Sequence, residues 1–440
     1  MNDQHYKQRM DFVESILQSN GLQAESIVPV EYDINSPFPY NNFIYRVTLL
    51  SPTTTAITFK SSQSGDPQPG TVPCPADTAS LIVRLANSDP RTGINNTHRV
   101  ESEVAFMTLV RQALAGSKYS CIVPDVYMWS GVSSGQGISV QKCMPGTIPE
   151  RGGFEDFSLQ DKTVLLGQMA DILALLQNYT VPETVSKYGG LRFDENGNVI
   201  SGQMTMFTGE PSLTYRDFLR GIFKVKLEEA DNNPVIQGWK QNGIRARLDD
   251  FIDHRLEGLL GDDEPQKVLI HADLTTNNLL FDPSTLRVTA LLDFDFSYVG
   301  TVADEFMGFS FGNLCGGTLP GPFESGTQLA LRRAMLTGFP ETHLVVGSSE
   351  VQWDIAETWD KELARAGAAR PCKISRFEEI ANIYWLQDRV SPFELDNPMM
   401  RKRMTAEQLE ETRSRTENLI AEFLGRTSLS SDTSSEGNNL

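Results

Sequence analysis

Cysteine is scarce. The 440 residues hold five, Cys74, Cys121, Cys143, Cys315 and Cys372, and no two stand in CxxC spacing. That excludes a disulfide scaffold and a cysteine-based zinc module, and it suits a reducing compartment. Histidine is equally sparse, five residues scattered along the chain, which excludes a His-rich metal site. No uninterrupted apolar run approaches the ~18 residues of a membrane span. The opening MNDQHYKQRMDFVESILQ lacks the apolar core of a signal peptide. Positive charge is in deficit: 38 Lys and Arg against 57 Asp and Glu leave a net charge of −19. Phosphate backbones and anionic membranes demand a basic surface, so neither is an expected partner. The acidity would suit a cationic small substrate, but plain solubility is the first reading of it. A cytoplasmic protein is the expectation.

The chain is longer than one core usually sustains, so two lobes are expected. With 40% hydrophobic and 22% charged residues, it has the composition of a folded protein rather than a disordered one. Residues 10–18 read as a short amphipathic helix. SIVPVEYD, FIYRVTLLS and SLIVRLA follow as strands, with a Ser, Thr, Gly and Pro-rich stretch from 51 to 80 between the last two. Residues 98–114 carry Val100, Val104, Met107 and Leu114 at helical spacing. VPDVYMWS and GISVQKCM are two further strands, and Pro145-Gly146 breaks the chain after them. Beyond it the patterning is mostly helical, from DKTVLLGQMADILALLQNY to TAEQLEETRSRTENLIAEFL, the last opening with a Thr405–Gln408 capping box. These signals predict a sheet-rich lobe over 1–144 with a flexible insertion at 51–80, a helical lobe over 145–426, and a disordered tail over 427–440.

One stretch among the helices is a hairpin: VLIHADLTTNNLLFDPSTLRVTALLDFDF, residues 268–296, turning at Asp282-Pro283-Ser284-Thr285. His271, Asp273 and Asn278 form HxDxxxxN at the end of its first apolar strand, and Asp293 closes its last. Phosphoryl transfer needs such a set: a carboxylate to orient an attacking hydroxyl and take its proton, and oxygen ligands to hold Mg²⁺ on nucleotide phosphates. Adjacent strand ends would bring Asn278 and Asp293 together. Asp and Asn also serve turns, so an isolated HxD or DFD says little; two motifs at this separation say more.

HADLTTNN and LLDFD resemble the catalytic loop and metal motif of the aminoglycoside phosphotransferase family, which shares the protein-kinase-like fold with choline-kinase-like enzymes. Protein kinases have Arg after the His and Phe-Gly after the metal-binding Asp. This chain has Ala272 and Phe294-Asp295, so the resemblance is to the small-molecule branch. It implies an α+β, bilobal fold with a small sheet-rich N-terminal lobe and a larger, mainly helical C-terminal lobe. It implies Asp273 as catalytic base, His271 as the residue that orients its loop, and Asn278 and Asp293 as metal ligands. Asp295 is a second metal contact or a strand cap. Asp304 falls where the family has an acid that braces the loop. YGGLRFDENGNVISG resembles a hairpin of fungal-looking members.

In the first lobe the family has a strand Lys paired with a helix Glu. Arg84 of SLIVRLA stands in that place with Glu103, or alternatively Glu101, on the next helix. Arg keeps the charge and can grip a carboxylate or phosphate bidentately. The other reading of Arg84 and Glu103 is solvent-facing residues. No GxGxxG precedes the strand; Asn41 and Asn42 stand where such a loop would be, as phosphate contacts or as ordinary turn residues. Lys142-Cys143-Met144 resembles the lobe connector, where the main chain of Cys143 and Met144 would meet adenine. The implied activity is ATP- (or GTP-) and Mg²⁺-dependent transfer to a hydroxyl of a small molecule. The alternative is a catalytically weak or inactive nucleotide-binding or regulatory module.

Overall fold

The computed structural model describes residues 4–30, 38–60, 67–89, 94–132, 135–149, 154–206, 209–307, 311, 314–339 and 351–433, with side chains to 426. Its first elements are α1 (Tyr6–Ser19), β1 (Ala24–Pro29), β2 (Asn42–Leu49), β3 (Ser80–Ala86), α2 (Arg99–Leu114), β4 (Val126–Ser130) and β5 (Ile138–Lys142). The five strands form one antiparallel sheet in the order β1-β2-β3-β5-β4. Strand alternation sorts β3 into two faces. Leu81, Val83 and Leu85 join Tyr45, Val47 and the α1 residues Val13 and Leu17 in a core on one face. Arg84 therefore points to the other face, where α2 lies.

Segment 51–80, read from composition as a flexible insertion, is tied to the sheet in its described parts. Ile57 and Cys74 form an antiparallel bridge, and Phe59 and Cys74 are buried. Val72 N–H donates to the Val126 carbonyl at 2.9 Å, and Trp129 Nε1 to that of Pro69 at 2.8 Å. A few apolar side chains anchor a stretch that is polar on average. Residues 61–66 of it lie outside the described set.

The order continues α3 (Leu159–Asn178), β6 (Gly190–Phe193), β7 (Val199–Gly202), α4 (Tyr215–Asn232), α5 (Ile244–Asp250), a π-turn at Phe251–Arg255, α6 (Leu256–Leu260), β8 (Val268–Ile270), β9 (Leu279–Asp282), β10 (Arg287–Leu291) and β11 (Tyr298–Gly300). Then come α7 (Gly326–Thr337), α8 (Trp353–Ala366), α9 (Phe377–Val390), the single turns α10 (Phe393–Asp396) and α11 (Pro398–Arg401), and α12 (Ala406–Thr433). Helix α4 is absent from the sequence reading, because Arg220, Lys224 and Lys226 interrupt its apolar pattern. Its buried face is regular nonetheless: Tyr215, Phe218, Leu219, Ile222 and Phe223. Thr405 and Gln408 cap α12 reciprocally, as predicted. The helix runs to Thr433, past the 427 at which the tail was placed, and residues 434–440 lie outside the described set.

Packing divides the chain into two compact units, one of residues 1–211, 266–318 and 352–370 and one of 212–265, 319–351 and 371–440. The sequence break at 144/145 falls inside the first unit. The reason is local: Thr147 pairs directly with Phe281 of β9 through both main-chain hydrogen bonds, at 2.9 Å each, so the sheet and the hairpin are stitched at once. The second unit has its own anchor in Trp239, fully buried, whose indole donates to the Val390 carbonyl at 2.8 Å.

In the first unit α3 packs against α2, β8, β10 and α8. Asp171 of α3 gathers three donors there: Lys118 Nζ at 2.9 Å, the Tyr119 hydroxyl at 2.9 Å and Arg365 Nη2 at 2.8 Å. Burial pushes the Asp171 carboxyl up, but these hydrogen bonds outweigh it and hold it below its usual range. A depressed carboxyl stabilises the fold above its unfolded pKa, and that contribution disappears as pH falls through the folded value. Asp171→Asn should therefore destabilise the protein by about 1–3 kcal/mol at pH 7. The gap to wild type in urea unfolding should narrow as the pH is lowered below ~4.

Candidate active site

All the side chains of the candidate site belong to the first unit. Strand β8 leads into the loop HADLTTNN, the candidate catalytic loop, and β10 leads into the segment Leu292–Asp295. Two residues there take left-handed backbone conformations that side chains disfavour, Ala272 at φ 66° and Asp293 at φ 61°. What holds the first is visible. Glu305, fully buried, accepts the His271 N–H at 2.8 Å and the Ala272 N–H at 3.0 Å, one on each carboxylate oxygen. His271 ties this loop to the other segment: its Nε2 lies 3.0 Å from the Leu292 carbonyl, and its Nδ1 accepts the Asp273 N–H at 3.3 Å. Burial lowers its pKa to about 4, so the ring is neutral near pH 7 and donates from Nε2. The Leu292 N–H in turn donates to the Asn278 carbonyl at 2.8 Å.

Asn278 Nδ2 donates to both the carbonyl and Oδ2 of Asp273, at 2.8 Å each. Its Oδ1 is left as the acceptor without a partner among the described residues. The Asp273 carboxyl is raised to about 7, first by burial and then by the nearby Asp293 charge, against the Asn278 hydrogen bond.

Arg84 sits among three acids. Its Nη2 is 3.2 Å from Glu103 Oε1, 3.1 Å from Asp293 Oδ1 and 3.6 Å from Asp295 Oδ2. Burial opposes the guanidinium charge, but the three carboxylates outweigh it and keep Arg84 protonated. Burial and the neighbouring acids push Glu103 upward, while Arg84 draws it back. The two partners pull in opposite senses; an arginine that stays charged at 3.2 Å keeps Glu103 an ion-pair partner. Oxygens of Glu103, Asp293 and Asp295 lie within 4.8 Å of one another, close enough for a metal ion. One Arg84 nitrogen is already in contact with all three, so the trio is an ion-pair cluster around that guanidinium.

Behind it is a second arginine. Arg99 Nη2 donates to the Asn41 carbonyl and to Asn42 Oδ1, both at 2.6 Å, and its Nε lies 3.7 Å from Asp295 Oδ1. Asn42 Nδ2 donates to Asp295 Oδ2 at 2.6 Å.

These residues fall inside a larger match. The profile of the phosphotransferase enzyme family covers residues 76–323, more than half of the chain. The chain belongs to that family. Solved structures resemble it as well. Aminoglycoside phosphotransferase APH(2'')-Ib in its ADP-bound form has 12% identity, covering 96% of this chain and 99% of its own, with a TM-score of 0.47. The streptomycin–ATP complex of APH(2'')-IIa has 13% identity, covering 92% and 98%, with a TM-score of 0.47. APH(4)-Ia has 10% identity, covering 96% and 98%, with a TM-score of 0.45. No curated protein matches the chain. The α+β class predicted from the sequence, a strand-rich N-terminal sheet followed by mostly helical chain, is the one observed in this phosphotransferase family member. Among its described residues no helix is long and apolar enough to cross a membrane.

The phosphotransferase brings together Asp273, Asn278, His271 and Asp293 around one loop, and Arg84 with Glu103 beside them. Glu101, the alternative partner, faces away: its Oε1 accepts the Phe193 N–H at 2.9 Å. Three expectations change. Asn42, placed in a phosphate loop, spends both ends of its amide on Arg99 and Asp295. Asp304 accepts the Thr301 N–H at 2.6 Å, and its neighbour Glu305 is the acid seen on the catalytic loop. Asp295, read as a second metal contact or a strand cap, is 3% exposed and lies between two arginines. Arg99 escaped notice, although it stands one helical turn before Glu103 and so on the same face of α2. Cys143 and Met144 lie in the connector between β5 and Thr147. There Gly146 has φ 119°, and a Cβ on it would meet Thr289 Oγ1 at 2.4 Å and the Phe281 carbonyl at 2.9 Å. Only glycine fits this turn.

The Glu305 bonds carry a direct expectation. Glu305→Ala orphans two main-chain N–H groups, each costing about 1–3 kcal/mol if buried. Hydrogen exchange should then accelerate at the His271 and Ala272 amides by orders of magnitude, with the β3 amides unchanged. Unaltered protection at 271 and 272 would mean that the loop keeps its shape without Glu305.

Proposed function

We propose that the chain transfers the terminal phosphoryl group of ATP or GTP to a hydroxyl of a small molecule, with Mg²⁺ as cofactor. The observation that carries the reading is the Asp273–Asn278 hydrogen-bonded pair set beside Asp293, with a cationic Arg84 against Asp293. Mg²⁺ takes hard oxygen donors. Asn278 Oδ1 and the Asp293 carboxylate, whose Oδ2 has no partner among the described residues, are such donors, so the residues fit the ion. Bound there, it would neutralise charge on the nucleotide phosphates.

The protein's own groups supply the rest. The Asp273 carboxylate orients the acceptor hydroxyl and takes its proton as the oxygen bonds to the terminal phosphorus and the nucleoside diphosphate leaves. His271 stays neutral and fixes the loop through Leu292. Arg84, braced by Glu103, faces the phosphates with a fixed charge. The main chain of Cys143 and Met144 meets the adenine. Most of the barrier reduction then comes from positioning and fixed charge. The net charge of −19 is compatible with a cationic acceptor.

A second reading, a nucleotide-binding module without turnover, draws support from Arg84 and Asn42, both of which are engaged by protein acids. Asp273 separates the two. Asp273→Asn should leave Mg²⁺–ATP affinity within a few-fold and lower transfer by ~10²–10⁴. A base works only when ionised, so wild-type kcat/KM should fall on the acid side. Its limb should sit at about 7 or below, because a cation beside Asp293 removes one of the two causes that raise Asp273. A mass-spectrometric screen of hydroxylated metabolites finds the acceptor. Nucleotide binding with no transfer to any acceptor, and no nucleotide hydrolysis, would establish the module instead.

A further inference from the structure

We propose that Arg99 is a positioning residue for this reaction, through which one helix sets both the start of β2, at Asn41 and Asn42, and the Asp293–Asp295 segment. The inference rests on the phosphoryl-transfer reading above. Arg99 is 1% exposed, and a buried guanidinium is costly unless it is paired. Its partners are informative. The Asn41 carbonyl immediately precedes β2, and the Asn42 amide opens it. Asp295 stands two residues after Asp293, on the segment that bears the left-handed backbone. Asn42 closes the triangle by donating to Asp295.

Helix geometry gives the arrangement its consequence. Arg99 and Glu103 are four residues apart, hence on one face of α2 and one above the other. Glu103 holds Arg84 and Arg99 holds Asp295, so a shift of α2 moves the phosphate-facing charge and the metal-binding segment together. Placement of this kind matters because an error of about 1 Å in the reacting groups can cost ~10²-fold in rate.

The cluster is also poorly arranged for stability alone. Arg84 Nε, Arg99 Nε and Nη1 and Asp295 Oδ1 are buried with no hydrogen-bond partner among the described residues, and Glu103 Oε1 has only its ion pair with Arg84. Each such atom is destabilising. The 3.7 Å between Arg99 Nε and Asp295 Oδ1 is an ion-pair distance just beyond hydrogen-bonding range. A small movement of Asp295 toward α2 would close it.

The test uses the full chain, with Mg²⁺–ATP affinity measured by calorimetry and ATP consumption measured at saturating nucleotide. Arg99→Lys keeps the charge but loses the planar fork that reaches Asn42 and Asp295 together. Asn42→Ala removes the same bridge and leaves Arg99 in place. Each variant should keep its melting temperature within a few degrees and its nucleotide affinity within about threefold. Each should lower turnover at saturation about tenfold or more. The double variant should be no slower than Arg99→Lys, because both changes cut one connection. If Arg99→Lys proves too unstable to assay, Asn42→Ala decides alone. Folded variants that turn over at the wild-type rate overturn the inference, as does a loss confined to nucleotide affinity. A wild type that neither hydrolyses nucleotide nor transfers phosphate to any acceptor in the screen would overturn the phosphoryl-transfer reading, and the inference with it.

Discussion

A guanidinium buried among carboxylates is the constraint on which the rest of the site depends. Arg84 cannot lose its charge, and Glu103 and Asp295 are too buried to be solvated by water. Each group therefore tolerates its burial only while the others stay in place. Removing one partner of such a set typically costs about 3–5 kcal/mol, far more than a surface pair. The cluster consequently fixes β3, α2 and the end of β10 relative to one another. Those elements carry, respectively, the cation, its brace and the candidate metal-binding acid.

The catalytic loop obeys a related logic on the other side of Asp293. Ala272 and Asp293 sit at backbone angles that cost free energy, and conformations of this kind persist only where the surroundings over-determine them. Glu305 accepts two loop N–H groups, His271 bridges to Leu292, and Leu292 bonds to Asn278. The result is a short closed circuit in which Asp273 and Asn278 cannot move without Asp293 following. Burial near these groups also raises Asp273, which places its titration close to neutral pH. One arrangement thus orders the loop and tunes the acid.

The parts of this site that were legible from sequence are those whose chemistry is local. HxDxxxxN and LLDFD each lie on one loop or strand end, so spacing alone sets their geometry. Arg84 and Glu103 were legible through element order, because the strand and the helix are successive. Arg99 with Asp295 was not, since nothing short of the folded chain brings the start of α2 to the end of β10. Asp304 and Glu305 are neighbours in sequence, and which one reaches the loop depends on a single 3₁₀ turn at 304–306. The 51–80 segment misled for another reason. Average composition hides Phe59 and Cys74, and two buried side chains are enough to pin a polar stretch.

If Arg84 is the fixed cation of the site, Asp293 faces outward from it toward a metal and the nucleotide. A crystal structure of the full chain with Mg²⁺ and a non-hydrolysable ATP analogue tests this directly. The expected result is the ion on Asn278 and Asp293, and Arg84 still against Glu103 with its free edge toward the phosphates. An ion seated among Glu103, Asp293 and Asp295, with Arg84 expelled from the cluster, would contradict it.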